Sequence, residues 1–457
     1  MDSIMQYDEL FEKAVEHYLD DNWSLIVDDL RTLVRIPSVD ERDRACEGAP
    51  YGPGPRAALD AAVAIARRMG FDTHDCEGFI AYADWPGESE TQLGIICHVD
   101  VVPAGPGWQF EPFELTEHDG YLVGRGTSDD KGPLVICLHA LKFWKDAGAR
   151  FPYTVRFLFG ADEEVGMHDV RYYRTHFDDP AFLFTPDAEF PVCYGEKGIY
   201  QATATSAPMQ NRTIASIGGG TSCNAVPGEA HAAFVDSSHG ELTMQGRTAH
   251  ASTPELGVNA IALLADELLE KGLTSNEERV FLGFVSNLCG STDGSAFGIA
   301  CSDADFGPLT ICGGVLKYEN GIFTQTIDIR FPTSINAAQI KTALESVLSP
   351  LGIELHIDNV KEPFLIDADS PAVRALSDAY EQLTDRKAKP FTMGGGTYAR
   401  EFTHAASFGM ETPGIARPEW VGGMHAPNEA ISIDEYRKAF KIYAYAIAKL
   451  MDVDITA

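Results

Sequence analysis

Three short apolar runs constrain this chain more than any other feature. LGIIC (93–97), YTVRFLF (153–159) and AFLFT (181–185) read as buried β-strands, and each leads into acids or histidine: His98 and Asp100, then Asp162-Glu163-Glu164, then Asp187. Further strand-like pieces lie at 79–83 and 121–123. Helical patterning covers 8–36, stopping before Pro37, then 57–69, closed by Gly70, and about 132–147. Strands alternating with helices imply an α/β fold, with a mixed, mostly parallel sheet and helices on both faces.

With 457 residues the chain is too long for one ordinary core. After Pro191 the texture changes. Strands at 199–206, 227–235, 308–317 and 322–331 and helices near 257–271, 336–348 and 371–384 suggest a second α/β layer. The Gly-rich FTMGGGTYAR, the strand-like PGIARP and a final helix over 433–451 then return to the first. The expected organisation is a first domain over 1–190, an inserted domain over 191–392, and a return over 393–457.

Composition removes several function classes. A formal charge of −33 argues against nucleic acid, whose phosphates need a basic face, and against anionic membrane surfaces. No stretch reaches the roughly 18–20 apolar residues of a membrane span. The acidic, helix-patterned start lacks the basic and apolar regions of a signal peptide, so cytoplasmic residence is expected. Nine cysteines, an odd number without CxxC spacing, read as buried free thiols.

Five motifs put acids and histidines beside strand ends or helix starts: HVD (His98, Asp100), GRGTSDDKGP (Asp129, Asp130), FGADEEVG (Glu163, Glu164), TPDAEFP (Asp187) and GGMHAPNE (His425). Each alone reads as something ordinary, namely a surface turn, a helix N-cap, a solvated turn, a Pro-Asp turn and a loop histidine. Together they fit poorly with five coincidences, because adjacent carboxylates repel unless something positive faces them. The strand-end edge of an open α/β sheet is where such folds place ligands. Two histidines with three or more carboxylates form an N/O set suited to zinc, with manganese or cobalt as alternatives. GRGTSDDKG lacks the spacing of a phosphate-binding P-loop.

In this order, and with YGEKGI and GGGTYAR, the motifs resemble the aminoacylase/carboxypeptidase/dipeptidase family of co-catalytic di-metal peptidases. They most resemble its bacterial dipeptidase V (PepV-like) branch. The likeness runs from RIPSV (35–39) to HAPNE (425–429) and implies a zinc-exopeptidase-like catalytic domain with an inserted α/β lid. It implies two divalent ions, with Asp129 bridging both. His98 and Asp187 would complete one site, and Glu164 and His425 the other. Asp100 would orient His98, and Glu163 would be the general base acting on a water, as hydroxide, between the metals. The Asp129–Asp130 peptide is expected to be cis. From the lid, His250 in GRTAHASTPELG would reach the reacting centre, Asn224 would contact substrate and Arg330 would grip its carboxylate. Gly395, Gly396 and Thr397 would add donors, and lid closure would accompany binding.

The activity implied is that of a metallopeptidase, a dipeptidase cleaving short unblocked peptides. An N-acyl-amino-acid deacylase or desuccinylase is the alternative within the family. GGGTYAR resembles the dipeptidase branch rather than the GGTSD-like loop of deacylases. A catalytically inactive metal- or peptide-binding protein is the alternative outside enzymology. The long insert resembles a branch with a doubled lid in one chain, which implies a monomer, a homodimer being the other option.

Overall fold

A computed structural model describes residues 8–457; the seven before them, the start of the acidic segment read above for targeting, lie outside the described residues. The chain divides into two compact units. Of the described residues, the first comprises 8–194, 366–391 and 397–457, and the second 195–365 and 392–396.

In the first unit the strands Thr154–Gly160, Gln92–His98, Phe182–Thr185 and Ala405–Ser407 lie side by side and parallel. Ile80–Trp85 and Asp72–Cys76 continue the sheet antiparallel at one edge. Alternation along the strands sends Leu93, Ile95 and Cys97, with Val155, Phe157 and Phe159, into one core. The helices Glu9–Val34, Pro53–Arg68, Lys131–Asp146 and Ile433–Met451 contribute to that core. Each fully buried Leu, Ile or Phe there is worth roughly 1.5–3 kcal/mol. On the opposite face Arg156 lies 4.0 Å from the Tyr82 ring centroid and donates to the Tyr173 hydroxyl at 3.0 Å, tying down the short helix His168–His176. The mixed, mostly parallel sheet with helices on both faces is the fold expected from the strand pattern.

Register positions the chemistry. His98 pairs with Gly160, and Ile95 with Phe184, so the residues following three parallel strands leave the sheet at one edge. Lys131–Asp146 starts at the same place, and its second residue is glycine for a steric reason. A Cβ on Gly132 would lie 2.0 Å from the Thr127 carbonyl oxygen.

The second unit is built differently. Its seven-stranded sheet is antiparallel throughout, in the order 241–245, 229–234, 214–219, 310–319, 322–331, 198–205, 354–361. Tyr200, Ala202 and Ala204 point into a core shared with the helices Ala260–Glu270, Asn276–Gly290 and Ala337–Leu348, while the residues between them are half-buried. One covered face is the habit of antiparallel sheets.

Two sequence expectations change. Residues 366–391, read as part of the insert, fold into the first unit. There Pro371–Leu383 buries Val373, Leu376 and Tyr380, and Tyr380 stacks on Phe190 at 5.4 Å. The helix Asn276–Gly290 was missed, although Ser275 and Glu278 form a capping box that announces it. Among the described residues no helix is long and apolar enough to cross a membrane.

Candidate active site

His98 is the last residue of its strand, Asp187 follows Phe182–Thr185 by two, and Glu163 and Glu164 follow Gly160. Asp129 precedes the helix at Lys131, and its peptide to Asp130 is cis. His425 sits in the loop before the final helix with φ of 63°.

These residues converge into two groups that share Asp129. His98, Asp129 and Asp187 form one, and Asp129, Glu164 and His425 the other; each offers ligand atoms within 4.8 Å of one another. His98 Nε2 lies 2.8 Å from Asp129 Oδ1 and 3.6 Å from Asp187 Oδ2. His425 Nε2 lies 2.9 Å from Asp129 Oδ2 and 3.1 Å from Glu164 Oε2. Ligand atoms at about 2.0–2.2 Å from a tetrahedral ion would be about 3.3–3.6 Å apart, so these separations are close to those of one coordination shell.

The donor atoms are oriented accordingly. His98 Nδ1 lies 2.9 Å from the Asp100 carbonyl oxygen, so the tautomer that donates there turns the Nε2 lone pair toward two carboxylates. Nε2 is buried and has no aligned hydrogen-bond partner despite its short distance to Asp129, and Glu164 Oε1 is likewise buried and unpartnered. A lone pair facing anions is repulsive unless a cation or proton lies between them. The residues present therefore fit a pair of divalent ions.

Titration carries the same message. Burial pushes Glu163 well above its ordinary value, with Asp187, Glu164 and Asp129 adding to the effect. Burial and then Asp129 push Glu164 up to about 7. Hydrogen bonds that His425 donates to Asp129 and Glu164 push it up to about 11. Without metal, protons do the work that cations would do, so the two compete for the same atoms.

Supporting contacts tie the loops together. The Glu429 carboxylate accepts from Gly126, Ser128 and Asp129 N–H at 3.1, 2.9 and 3.1 Å, and from Arg125 Nη1 at 2.5 Å. Arg125 Nη2 in turn reaches the His425 carbonyl at 3.3 Å. One buried ion pair thus holds the two loops that carry Asp129 and His425. Sequence reasoning quoted HAPNE but assigned Glu429 no role; the only signal was its place in that motif. Asp162, also left without a role, pairs with Arg42 and accepts from His168 N at 2.9 Å.

Asp100 meets His98 mainly through its backbone. Its carbonyl meets His98 Nδ1, while the nearer carboxylate oxygen is 3.5 Å away and the carboxylate accepts from Glu163 and Glu164 N–H at 3.3 and 3.1 Å. The Thr397 hydroxyl is buried, 2.9 Å from Ser407 Oγ, and caps the turn Tyr398–Glu401 by accepting from Ala399 N–H.

The other predicted residues lie in the second unit. His250 is exposed, with Nδ1 2.7 Å from Ser252 Oγ, and its strand pairs with the one following Asn224. Arg330 is buried. Its Nε and Nη2 donate to Asp328 at 2.6 and 3.0 Å, and its Nη1 donates to the Gly394 carbonyl at 2.9 Å, next to Gly395 and Gly396.

Residues 94–449 match the family described as Peptidase family M20/M25/M40. A Bacillus subtilis protein named "Putative dipeptidase YtjP" is 32% identical, the alignment covering 93% of this chain and 97% of that one. Human carnosine dipeptidase 1 has a similar structure, with TM-score 0.62 at 16% identity over 98% of this chain and 100% of the other. The Saccharomyces cerevisiae dipeptidase Dug1p gives TM-score 0.59 at 14% identity over 96% and 98%. At such identities the structural likeness concerns the fold.

Proposed function

The chain belongs to peptidase family M20/M25/M40, and from that premise we propose that it is a metal-dependent dipeptidase hydrolysing short unblocked peptides. The observation that carries this reading is the pair of N/O groups sharing Asp129, with Glu163 beside a member of one group but in neither. His98, Asp129 and Asp187 would hold one divalent ion, and Asp129, Glu164 and His425 the other, zinc being the first choice and manganese or cobalt the alternatives. Bound there, such ions would supply Lewis-acid polarisation of the scissile carbonyl and acidify a water.

The chain's own groups do the rest. Glu163, its proton affinity raised by burial and neighbouring acids, takes the proton of the attacking water and delivers it to the leaving amine. Asp100 holds the backbone from which Glu163 projects. By the family resemblance, His250 donates to the developing oxyanion, and Asn224 and the Gly395–Gly396 backbone contact substrate. Arg330 is assigned to the substrate carboxylate. Of its five N–H donors, three are spent on Asp328 and Gly394, which leaves two for that contact. We further propose that the protein is cytoplasmic and a monomer, a homodimer being the other option.

The test is a metal-supplemented assay of a dipeptide panel beside N-acetyl and N-succinyl amino acids. Dipeptides should turn over fastest. Faster cleavage of the acylated amino acids would make the protein a deacylase, and no turnover of either would make it a binding protein.

A further inference from the structure

The turn that carries Glu163 has no ladder to hold it, yet four consecutive backbone N–H groups in it end on buried carboxylates. Ala161 and Asp162 N–H donate to Asp169 Oδ2 at 2.7 and 3.0 Å. Glu163 and Glu164 N–H donate to Asp100. Asp100 belongs to a motif already described. Asp169, on the helix His168–His176, does not, and neither does its partner. Tyr398 donates its hydroxyl to the same Asp169 oxygen, and Val170 N–H takes the other oxygen at 2.7 Å.

Both side chains are fully buried. Tyr398 occupies the space that a side chain at Gly160 would fill, since a Cβ there would lie 1.9 Å from the phenol oxygen. Its ring also meets His98 edge-on, with centroids 6.3 Å apart and planes at 78°. The phenol therefore touches the strand end before the turn, the carboxylate that gathers the first half of the turn, and the imidazole of one ligand group.

We propose that Asp169 and Tyr398 are a positioning pair that fixes the Ala161–Glu164 turn and so aims the Glu163 carboxylate. A buried carboxylate holding four donors cannot move without leaving charge-assisted hydrogen bonds unmade. Two of those donors are the amides immediately preceding Glu163. The pair acts on where the base points and not on substrate binding. This inference rests on the role proposed above for Glu163.

The experiment compares wild type, Tyr398→Phe and Asp169→Asn, alone and combined with Glu163→Asp, on a dipeptide with zinc or manganese present. Losing a group that orients an active-site residue typically costs 10–100-fold. Tyr398→Phe should lower kcat by about that factor with KM within about twofold, and Asp169→Asn by at least as much. For Tyr398→Phe bound metal per chain should stay at the wild-type value, and the thermal midpoint, lowered by the lost buried hydrogen bond, should stay well above the assay temperature. In the Glu163→Asp background, where the carboxylate is already misplaced, either substitution should cost less than about threefold, because the two losses share one cause. Four results would overturn the pair: wild-type kcat in both variants, a loss confined to KM, full multiplication of the losses with Glu163→Asp, or a kcat loss that follows metal content or unfolding at the assay temperature. A wild-type protein that hydrolyses no dipeptide would instead break the proposed function.

Discussion

Two clusters of buried charge, one in each unit, are handled in opposite ways. In the second, Asp328 and Arg330 are buried together and pair through two hydrogen bonds, and Glu278 spends its carboxylate on the N–H groups of Thr213, Ile214 and Ser275. These two acids find their partners within the fold. In the first, Asp129, Glu163, Glu164 and Asp187 crowd around two histidines, and burial and mutual repulsion raise Glu163, Glu164 and Asp187. The chain alone leaves this cluster short of positive charge. A fold that balances Asp328 and Glu278 in one unit, and Glu429 against Arg125 in the other, leaves the Asp129 cluster unbalanced, and those residues could hold metal ions.

The largest effect expected is on turnover. Glu163→Gln should lower kcat by about 10²–10⁴-fold while metal content is unchanged, because Glu163 lies outside both ligand groups. Steady-state kinetics with metal analysis checks this, and substantial residual activity would remove Glu163 as base.

The second unit offers the converse. Arg330→Met strands Asp328 as a buried uncompensated charge and should cost about 3–5 kcal/mol of stability, whereas Asp328→Leu with Arg330→Met should recover much of it. Denaturant unfolding measures both. Equal loss in the single and double variants would show that the pair is not balanced in the way described.

Glu164→Gln should do the opposite of Arg330→Met in metal-free protein. Removing one of several crowded carboxylates should raise the thermal midpoint slightly, while the metal-dependent rise in midpoint shrinks. In wild type a metal at 100 times its Kd should add about 2.7 kcal/mol per site. An unchanged metal response in Glu164→Gln would break its assignment as a ligand.

The smallest effect lies far from either cluster. His139 Nε2 is 3.0 Å from Asp29, its Nδ1 is 3.1 Å from the Tyr18 hydroxyl, and burial outweighs Asp29 to hold its pKa below the ordinary value. The unfolded chain binds this proton more readily, so the contribution is complete above about pH 6.5 and is lost as pH falls toward the lower folded value. Asp29 is lowered as well, by hydrogen bonds from His139 and Arg68 that overcome its burial, and its share is lost only at more acid pH. His139→Gln should flatten the stability–pH slope between about pH 7.5 and 5.5, by at most ~1.4 kcal/mol per pH unit. An identical slope in the variant would exclude the group.

What could be read from sequence follows from how local each signal is. Apolar runs ending in His98, Asp187 or the 162–164 acids are contiguous, so the parallel sheet and the edge that gathers those residues were legible. The antiparallel order of the second sheet was not, because strands such as 241–245 and 354–361 alternate over only two apolar residues each before the pattern stops, and nothing local says which strand each will pair with. The helix Pro371–Leu383 has a clear stripe, but nothing local says which core will receive it. Asp169 sits in HDVRYYRTH, a short polar helix without apolar periodicity, and Tyr398 lies 229 residues away. Their pairing is a property of the assembled fold.

Crystals grown with zinc or manganese, with anomalous diffraction recorded at the metal edge, test the central claim most directly. The account predicts two peaks per chain, one among His98, Asp129 and Asp187 and one among Asp129, Glu164 and His425, with Asp129 touching both. Metal bound only on other residues, or no peak on the Asp129 carboxylate, would contradict it.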